Sequence, residues 1–154
     1  MITQRMKRIS LSVIVPVYNE EKTVGTVLKK LQEIKKVREI VVVDDGSTDK
    51  TLHAIKRLKL SKVKLFSKAN GGKGSAIRYG LQKVNGEYVL IQDADLEYDP
   101  ADIPLLLDPV ERERAEIIYG SRFLGPHLNL LFWHRLGNSF LNFLINILYN
   151  TILS

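Results

Sequence analysis

Apolar residues recur along the chain with two alternating periods up to about residue 120. Leu11–Val17 is a short apolar run rich in β-branched residues, which predicts a buried strand. From Glu21 to Val37 the apolar positions are Val24, Val27, Leu28, Leu31 and Ile34. That spacing puts them on one face of a helix. Ile40–Val43 predicts a second buried strand. Asp49 stands where it can cap a helix that carries Leu52, Ile55 and Leu58 on one side. Val63–Phe66 predicts a third strand, and Ile77, Gly80, Leu81 and Val84 mark a third helix. Tyr88–Ile91 predicts a fourth strand, Pro100 opens a short helix through Leu105–Leu107, and Ala115–Tyr119 predicts a fifth strand. Strands that are apolar throughout and alternate with helices imply βαβ units, hence an α/β fold with a mostly parallel sheet covered on both faces.

Residues 1–125 have this character, and Gly125–Pro126 is the clearest break. Residues 126–154 differ. Asn138, Asn142, Asn146 and Asn150 recur every four residues among Phe140, Leu141, Phe143, Leu144, Ile145, Ile147 and Leu148. On a helix this gives a narrow polar stripe and a wide apolar face. Leu136–Leu153 would extend about 27 Å at 1.5 Å per residue. Four asparagines argue against a simple span, and Trp133, Arg135 and Tyr149 suit a helix lying at a membrane interface. The alternative is a helix packed on the sheet or on a partner chain.

Composition narrows the chemistry. In 154 residues there is no cysteine, which excludes thiol catalysis, Cys-ligated zinc, iron–sulfur clusters and disulfides. Lys plus Arg is 23 against 17 Asp plus Glu, and the excess of +6 suits either solubility or an anionic partner. Glu116 is the last acidic residue, and Arg122 and Arg135 are the only formal cations after it. The basic start (Arg5, Lys7, Arg8) leads into a strand-like run without a small-residue cleavage site, so no secretory signal is expected.

Ligands of open α/β sheets bind beyond the carboxyl ends of the strands. Those ends here carry Pro16, Tyr18, Asn19 and Glu20; Asp44, Asp45, Gly46 and Ser47; Asp93, Asp95 and Glu97; and Gly120, Ser121 and Arg122. Carboxylates crowded on one edge repel one another unless a cation sits among them. Asp93 and Asp95, two residues apart, can share Mg²⁺ or Mn²⁺, or can cap turns. In Asp44-Asp45-Gly46-Ser47 the glycine makes a turn and Ser47 or Asp49 caps the next helix, while one carboxylate remains free to accept the imino N–H of uracil or guanine. Asn70-Gly71-Gly72-Lys73-Gly74-Ser75 is either a backbone-exposing start to a helix near a diphosphate or an ordinary loop. Its glycine spacing matches neither a P-loop nor a dinucleotide fingerprint, which disfavours an ATPase and a nicotinamide dehydrogenase. Arg122 and Arg135 are phosphate partners or surface arginines. The acidic edge disfavours nucleic acid.

In order along the chain stand SVIVPVYNE (residues 12–20), VVVDDGSTD (41–49), GKGSA (72–76), QDADLE (92–97) and GSR (120–122). Through these motifs the chain resembles a family-2 glycosyltransferase of GT-A fold over nearly all of residues 10–154. Its last third is most similar to the polyprenyl-phosphate branch, of the dolichyl-phosphate mannose synthase kind. The resemblance implies a three-layer, Rossmann-like sheet, a nucleotide-sugar-binding core at 1–125 and an acceptor-side helical segment at 126–154. It implies inverting transfer from a nucleotide sugar of UDP-glucose or GDP-mannose type to a polyprenyl phosphate. Pro16, Tyr18 and Glu20 would line the base pocket and Asp45 would bind the base. Lys73 would lie near ribose or phosphate. Asp93, Ala94 and Asp95 would hold ribose and the metal-bound diphosphate, with Glu97 as a further metal ligand where synthases often carry glutamine. Arg122 and Arg135 would receive the acceptor phosphate, Asp93, Asp95 and Arg122 forming the catalytic set. Residues 128–153 would touch the cytoplasmic face of the membrane. An acceptor that is already an anion needs no general base, which suits the lack of an obvious one. Members of this family continue well past the position of Ser154, so the donor side is expected to be nearly complete and the acceptor side not. The rivals are transfer to a polysaccharide or another lipid, and nucleotide binding without turnover.

Overall fold

Four strands, β1 (Leu11–Val17), β2 (Val37–Asp44), β3 (Val63–Ser67) and β4 (Tyr88–Ile91), form one parallel sheet in the order β3-β2-β1-β4. Between them run α1 (Val24–Glu33), α2 (Thr51–Leu58) and α3 (Lys73–Leu81). A 3₁₀ turn at Pro100–Asp102 leads into α4 (Ile103–Glu111). The structure, a computed structural model, describes residues 9–112, 115–118 and 143. The chain divides into two compact units, 1–116 and 117–154, and this sheet belongs to the first. The Gly125–Pro126 break lies outside the described residues.

The alternation of side chains along a strand sorts the core into two layers. Val13, Val15 and Val17 join Ile40 and Val42 against Val24, Val27, Leu28 and Leu31 of α1, with Ile55, Ile103 and Leu107. On the other face Ile14, Val41 and Val43 meet Ala76 of α3, with Phe66 and Tyr79 at the margin. Both faces of the central strands are covered, which is why Val13–Val17 of β1 and Ile40–Val43 of β2 read as apolar runs. The approach of α3 to β1 requires glycine at position 80, because a Cβ there would stand 2.7 Å from Ile14 Cγ2.

The strand order sets the site. The chain steps from β1 outward to β3 on one side, then crosses to place β4 on the other side of β1. Beyond the carboxyl ends of β1 and its neighbours the connecting segments part in opposite directions and leave a crevice.

Several elements differ from the pattern; α3 ends at Leu81, before Val84, and α4 runs on to Glu111. α1 is shorter than its periodicity, because Ile34 is already extended and the chain turns at Lys35–Lys36 to enter β2. β2 begins at Val37 rather than Ile40, since Glu39 is accommodated inside the sheet. The fifth strand expected at Ala115–Tyr119 is not formed at 115–118: that stretch joins no ladder and Ile117 is 75% exposed. An apolar run becomes a strand only with a hydrogen-bonding edge beside it, and these residues take none among those described.

Candidate functional site

Asn19 starts the site. It takes a left-handed backbone (φ 57°), a conformation asparagine tolerates better than most residues. Its amide N–H donates to Ser47 Oγ at 3.0 Å, and its Oδ1 accepts from the Thr48 amide at 2.8 Å. Glu20 N–H donates to Thr51 Oγ1 at 2.8 Å, and Asp49 Oδ1 accepts the Thr51 amide at 2.9 Å, at the entry of α2. The segments after β1 and β2 are thereby tied side by side, with Tyr18 49% exposed at the rim.

The two adjacent acids after β2 have different tasks. Asp44 is fully buried, accepts from the Ser47 amide and from Ser67 Oγ at 3.0 Å, and so fastens its turn to β3. Asp45, one residue on, faces the crevice and is 3% exposed. Its oxygens accept from Lys68 Nζ, from the Gly71 amide at 3.1 Å and from the Gly72 amide at 2.6 Å. Burial raises its carboxyl, but Lys68 and the two glycine amides outweigh burial and hold it below the usual carboxylate range. Asp45, the residue expected to bind a base, thus also holds the Gly71–Gly72 loop at the mouth of α3. Gly72 has φ 84°, a region that favours glycine.

The turn after β4 is built around Gln92, 4% exposed, whose Nε2 donates to the carbonyls of Asp93 and Tyr98 at 3.2 and 3.0 Å. Within this turn Leu96 has φ 66°, a strained backbone position of the kind that gathers at functional sites. Asp95 Oδ1 accepts the Glu97 amide at 3.0 Å. Asp93 is engaged from across the crevice, with Lys73 Nζ 2.7 Å from its Oδ1 and 2.8 Å from its Oδ2.

Pro16, Tyr18, Glu20, Asp45, Lys73, Asp93, Ala94 and Asp95, the whole expected donor set, line one cavity of about 410 Å³. Glu97 is exposed and is not on its wall. Among the described residues no three acidic or histidine side chains converge on one metal position. Asp93 and Asp95 still fit a hard divalent ion: both offer carboxylate oxygen to the same cavity, and Mg²⁺ or Mn²⁺ so held keeps positions for water and phosphate oxygens. Arg122 and Arg135 lie outside the described residues, as does the tail except Phe143, which is helical and 58% exposed. Among the described residues no helix is long and apolar enough to cross a membrane. Sequence reasoning gave no role to Asn19, Lys68 or Gln92. Asn19 had a signal, its place beside Tyr18 at a strand end; the partners of Lys68 and Gln92 become visible only when the loops are folded.

Residues 12–153 match the family described as Glycosyl transferase family 2. Curated relatives include a dodecaprenyl-phosphate galacturonate synthase from Rhizobium johnstonii, 32% identical over 76% of this chain and 37% of the relative. Another is a UDP-N-acetylglucosamine–dolichyl-phosphate N-acetylglucosaminyltransferase from Methanococcus voltae, 30% identical over 90% of this chain and 64% of the relative. The chain thus spans less than two-thirds of the length of either relative. Among solved structures, glucosyl-3-phosphoglycerate synthase from Mycobacterium tuberculosis, in complex with Mn²⁺, UDP and glucosyl-3-phosphoglycerate, superposes with TM-score 0.58 at 28% identity, covering 67% of this chain and 40% of that one. A mannosyltransferase from Pyrobaculum calidifontis, in complex with GDP-Man and Mn²⁺, gives TM-score 0.57 at 33% identity, covering 67% and 34%.

Proposed function

Since the chain belongs to glycosyl transferase family 2, we propose that its cavity binds a nucleoside diphosphate sugar whose sugar passes, with inversion, to a polyprenyl phosphate. The observation that carries this reading is the convergence of eight expected donor residues, from four separate segments, on one cavity at the switch point of the sheet.

These residues have the following proposed roles. Tyr18 and Pro16 offer flat apolar surface to the base, with Glu20 and Asp45 beside it. Lys73, at the first turn of α3, brings positive charge and a helix N-terminus toward the diphosphate. In the transfer the bond between the anomeric carbon and the diphosphate oxygen breaks as an acceptor phosphate oxygen bonds to the opposite face of that carbon. The leaving diphosphate takes the electron pair, so charge must be stabilised there. Mg²⁺ or Mn²⁺ held by Asp93 and Asp95 would supply that stabilisation. Arg122 and Arg135 would meet the acceptor phosphate, and residues 128–153 the cytoplasmic membrane face. The likeness to glucosyl-3-phosphoglycerate synthase favours a second reading, in which the acceptor is not a polyprenyl lipid.

Calorimetric titration with UDP and with GDP, each with and without Mn²⁺, tests the donor site. One nucleotide is expected to bind, more tightly with Mn²⁺. Asp95→Asn should weaken that binding about tenfold, the worth of one charge-assisted ligand contact, and remove the metal dependence. Absence of binding by either nucleotide defeats the reading. Product formation with a short-chain polyprenyl phosphate, set against phosphoglyceric acid, decides the acceptor.

A further inference from the structure

The two-point contact of Lys73 with Asp93 bears on how the site is loaded. The ammonium lies 2.7 and 2.8 Å from the two oxygens of one carboxylate. A divalent ion on the same carboxylate would sit about 2.0–2.2 Å from its oxygens, so the two cations would nearly coincide. Their mutual repulsion forbids sharing the place. Lys73 is 60% exposed on the first turn of α3, so its side chain has solvent to swing into, whereas Asp93 is 22% exposed and held on a turn braced by Gln92.

We infer that Lys73 is a positioning residue that occupies the metal place on Asp93 until a nucleoside diphosphate draws it away, so that metal and nucleotide bind as a coupled pair. The inference rests on the donor-site reading above. Without nucleotide, a metal ion must evict the ammonium into water. With nucleotide, the ammonium gains diphosphate oxygens in exchange and Asp93 is released. By linkage, each ligand then raises the affinity for the other by the same factor. In the free protein the lysine also keeps Asp93 from standing as an uncompensated charge in a cavity that it shares with Asp45 and Asp95.

The measurement is Mn²⁺ affinity, by titration calorimetry or by the paramagnetic resonance signal of free Mn²⁺, on the full chain with and without saturating nucleotide. Circular dichroism checks that each variant is folded. Lys73→Met is expected to bind Mn²⁺ alone about 3- to 10-fold more tightly than the unaltered chain, the range set by a largely exposed ion pair. Its nucleotide–Mn²⁺ coupling should shrink by the same factor. Lys73→Arg keeps the pair and should keep both the weak Mn²⁺ binding and the coupling. Arg78→Met, which removes one positive charge elsewhere on α3, should leave Mn²⁺ affinity unchanged. An unchanged or weaker Mn²⁺ affinity in Lys73→Met, with nucleotide still bound, overturns the role of the lysine and leaves the donor site standing. An equal gain in Arg78→Met reduces the effect to net charge and also overturns it. Failure of the unaltered chain to bind nucleotide or Mn²⁺ defeats the donor-site reading and this inference together.

Discussion

Glu39 lies at the amino end of the sheet, away from the cavity, and shows what one buried carboxylate can do for this fold. It is 4% exposed within β2. It accepts from Ser12 Oγ of β1 at 2.6 Å, from Lys64 Nζ of β3 at 2.6 Å and from the Asn85 amide before β4, so one side chain meets all four strand regions. Burial pushes its carboxyl up; the bonds from Lys64, Ser12 and Asn85 outweigh burial and bring it from 4.5 down to about 2. A group held ionised in the fold binds its proton more readily once unfolded. Its stabilisation is therefore complete above about pH 4.5 and is lost as pH falls toward about 2. With half-exposed Lys64 discounted for screening, that amounts to about 2 kcal/mol. Urea titrations of Glu39→Gln should show a loss of about 2 kcal/mol at pH 6 and a shallower decline between pH 4.5 and 3. An unaltered slope would mean that other carboxylates carry the acid sensitivity. In the sequence this residue only interrupts an apolar run, which is why the strand was expected to begin at Ile40. Its partners lie 25 to 46 positions away, and no local pattern announces them.

At the scale of elements, the segments leaving β1 and β2 act as one piece because Asn19 joins them. The join has two separable parts, a left-handed backbone and a set of side-chain bonds from Thr48 and Asp49 to Asn19 Oδ1. Asn19→Gly keeps the first and loses the second, at a cost of about 1 kcal/mol. Asn19→Ala loses both and should cost about 1 kcal/mol more. Urea denaturation separates the two values, and nucleotide affinity should fall in both variants as Tyr18 and Asp45 lose their alignment. Equal stability of the two variants would remove the backbone argument. Periodicity made these elements legible: β1 has its expected limits because two covered faces demand continuous apolar residues, and β4 has its expected limits too, although Val89 and Ile91 on one of its faces are exposed. The cavity was legible for the same reason, since strand ends in such a sheet point to one edge. The loop held by Asp45 was not. Lys68, Gly71 and Gly72 reach that carboxylate from 23 to 27 positions away, by a fold that no spacing rule encodes. Ala115–Ile118 failed in the opposite sense, because its apolar pattern was sound and a strand partner was lacking among the described residues.

For the whole molecule, charge and apolar surface are distributed unevenly, and the proposed lipid acceptor draws both into one argument. The acidic residues end at Glu116 while the net charge is +6, so the chain closes in a stretch that anionic headgroups would not repel. Phe143, helical and 58% exposed, presents a large apolar ring in that stretch. A helix at an interface gains from each such side chain it buries, about 1.5–3 kcal/mol for a phenylalanine. If residues 128–153 meet a membrane, the full chain should float with vesicles that contain anionic lipid. Phe143→Asp should reduce the floated fraction about tenfold or more, because it removes that burial and adds a charge of the wrong sign. Leu105→Asp places the same charge on the exposed face of α4, where Leu105 is 73% exposed, and should leave flotation unchanged. Equal losses in both variants would reduce the effect to net charge. Recovery of the unaltered chain only in the vesicle-free fraction would separate the donor cavity from any membrane and strengthen the reading with a non-lipid acceptor.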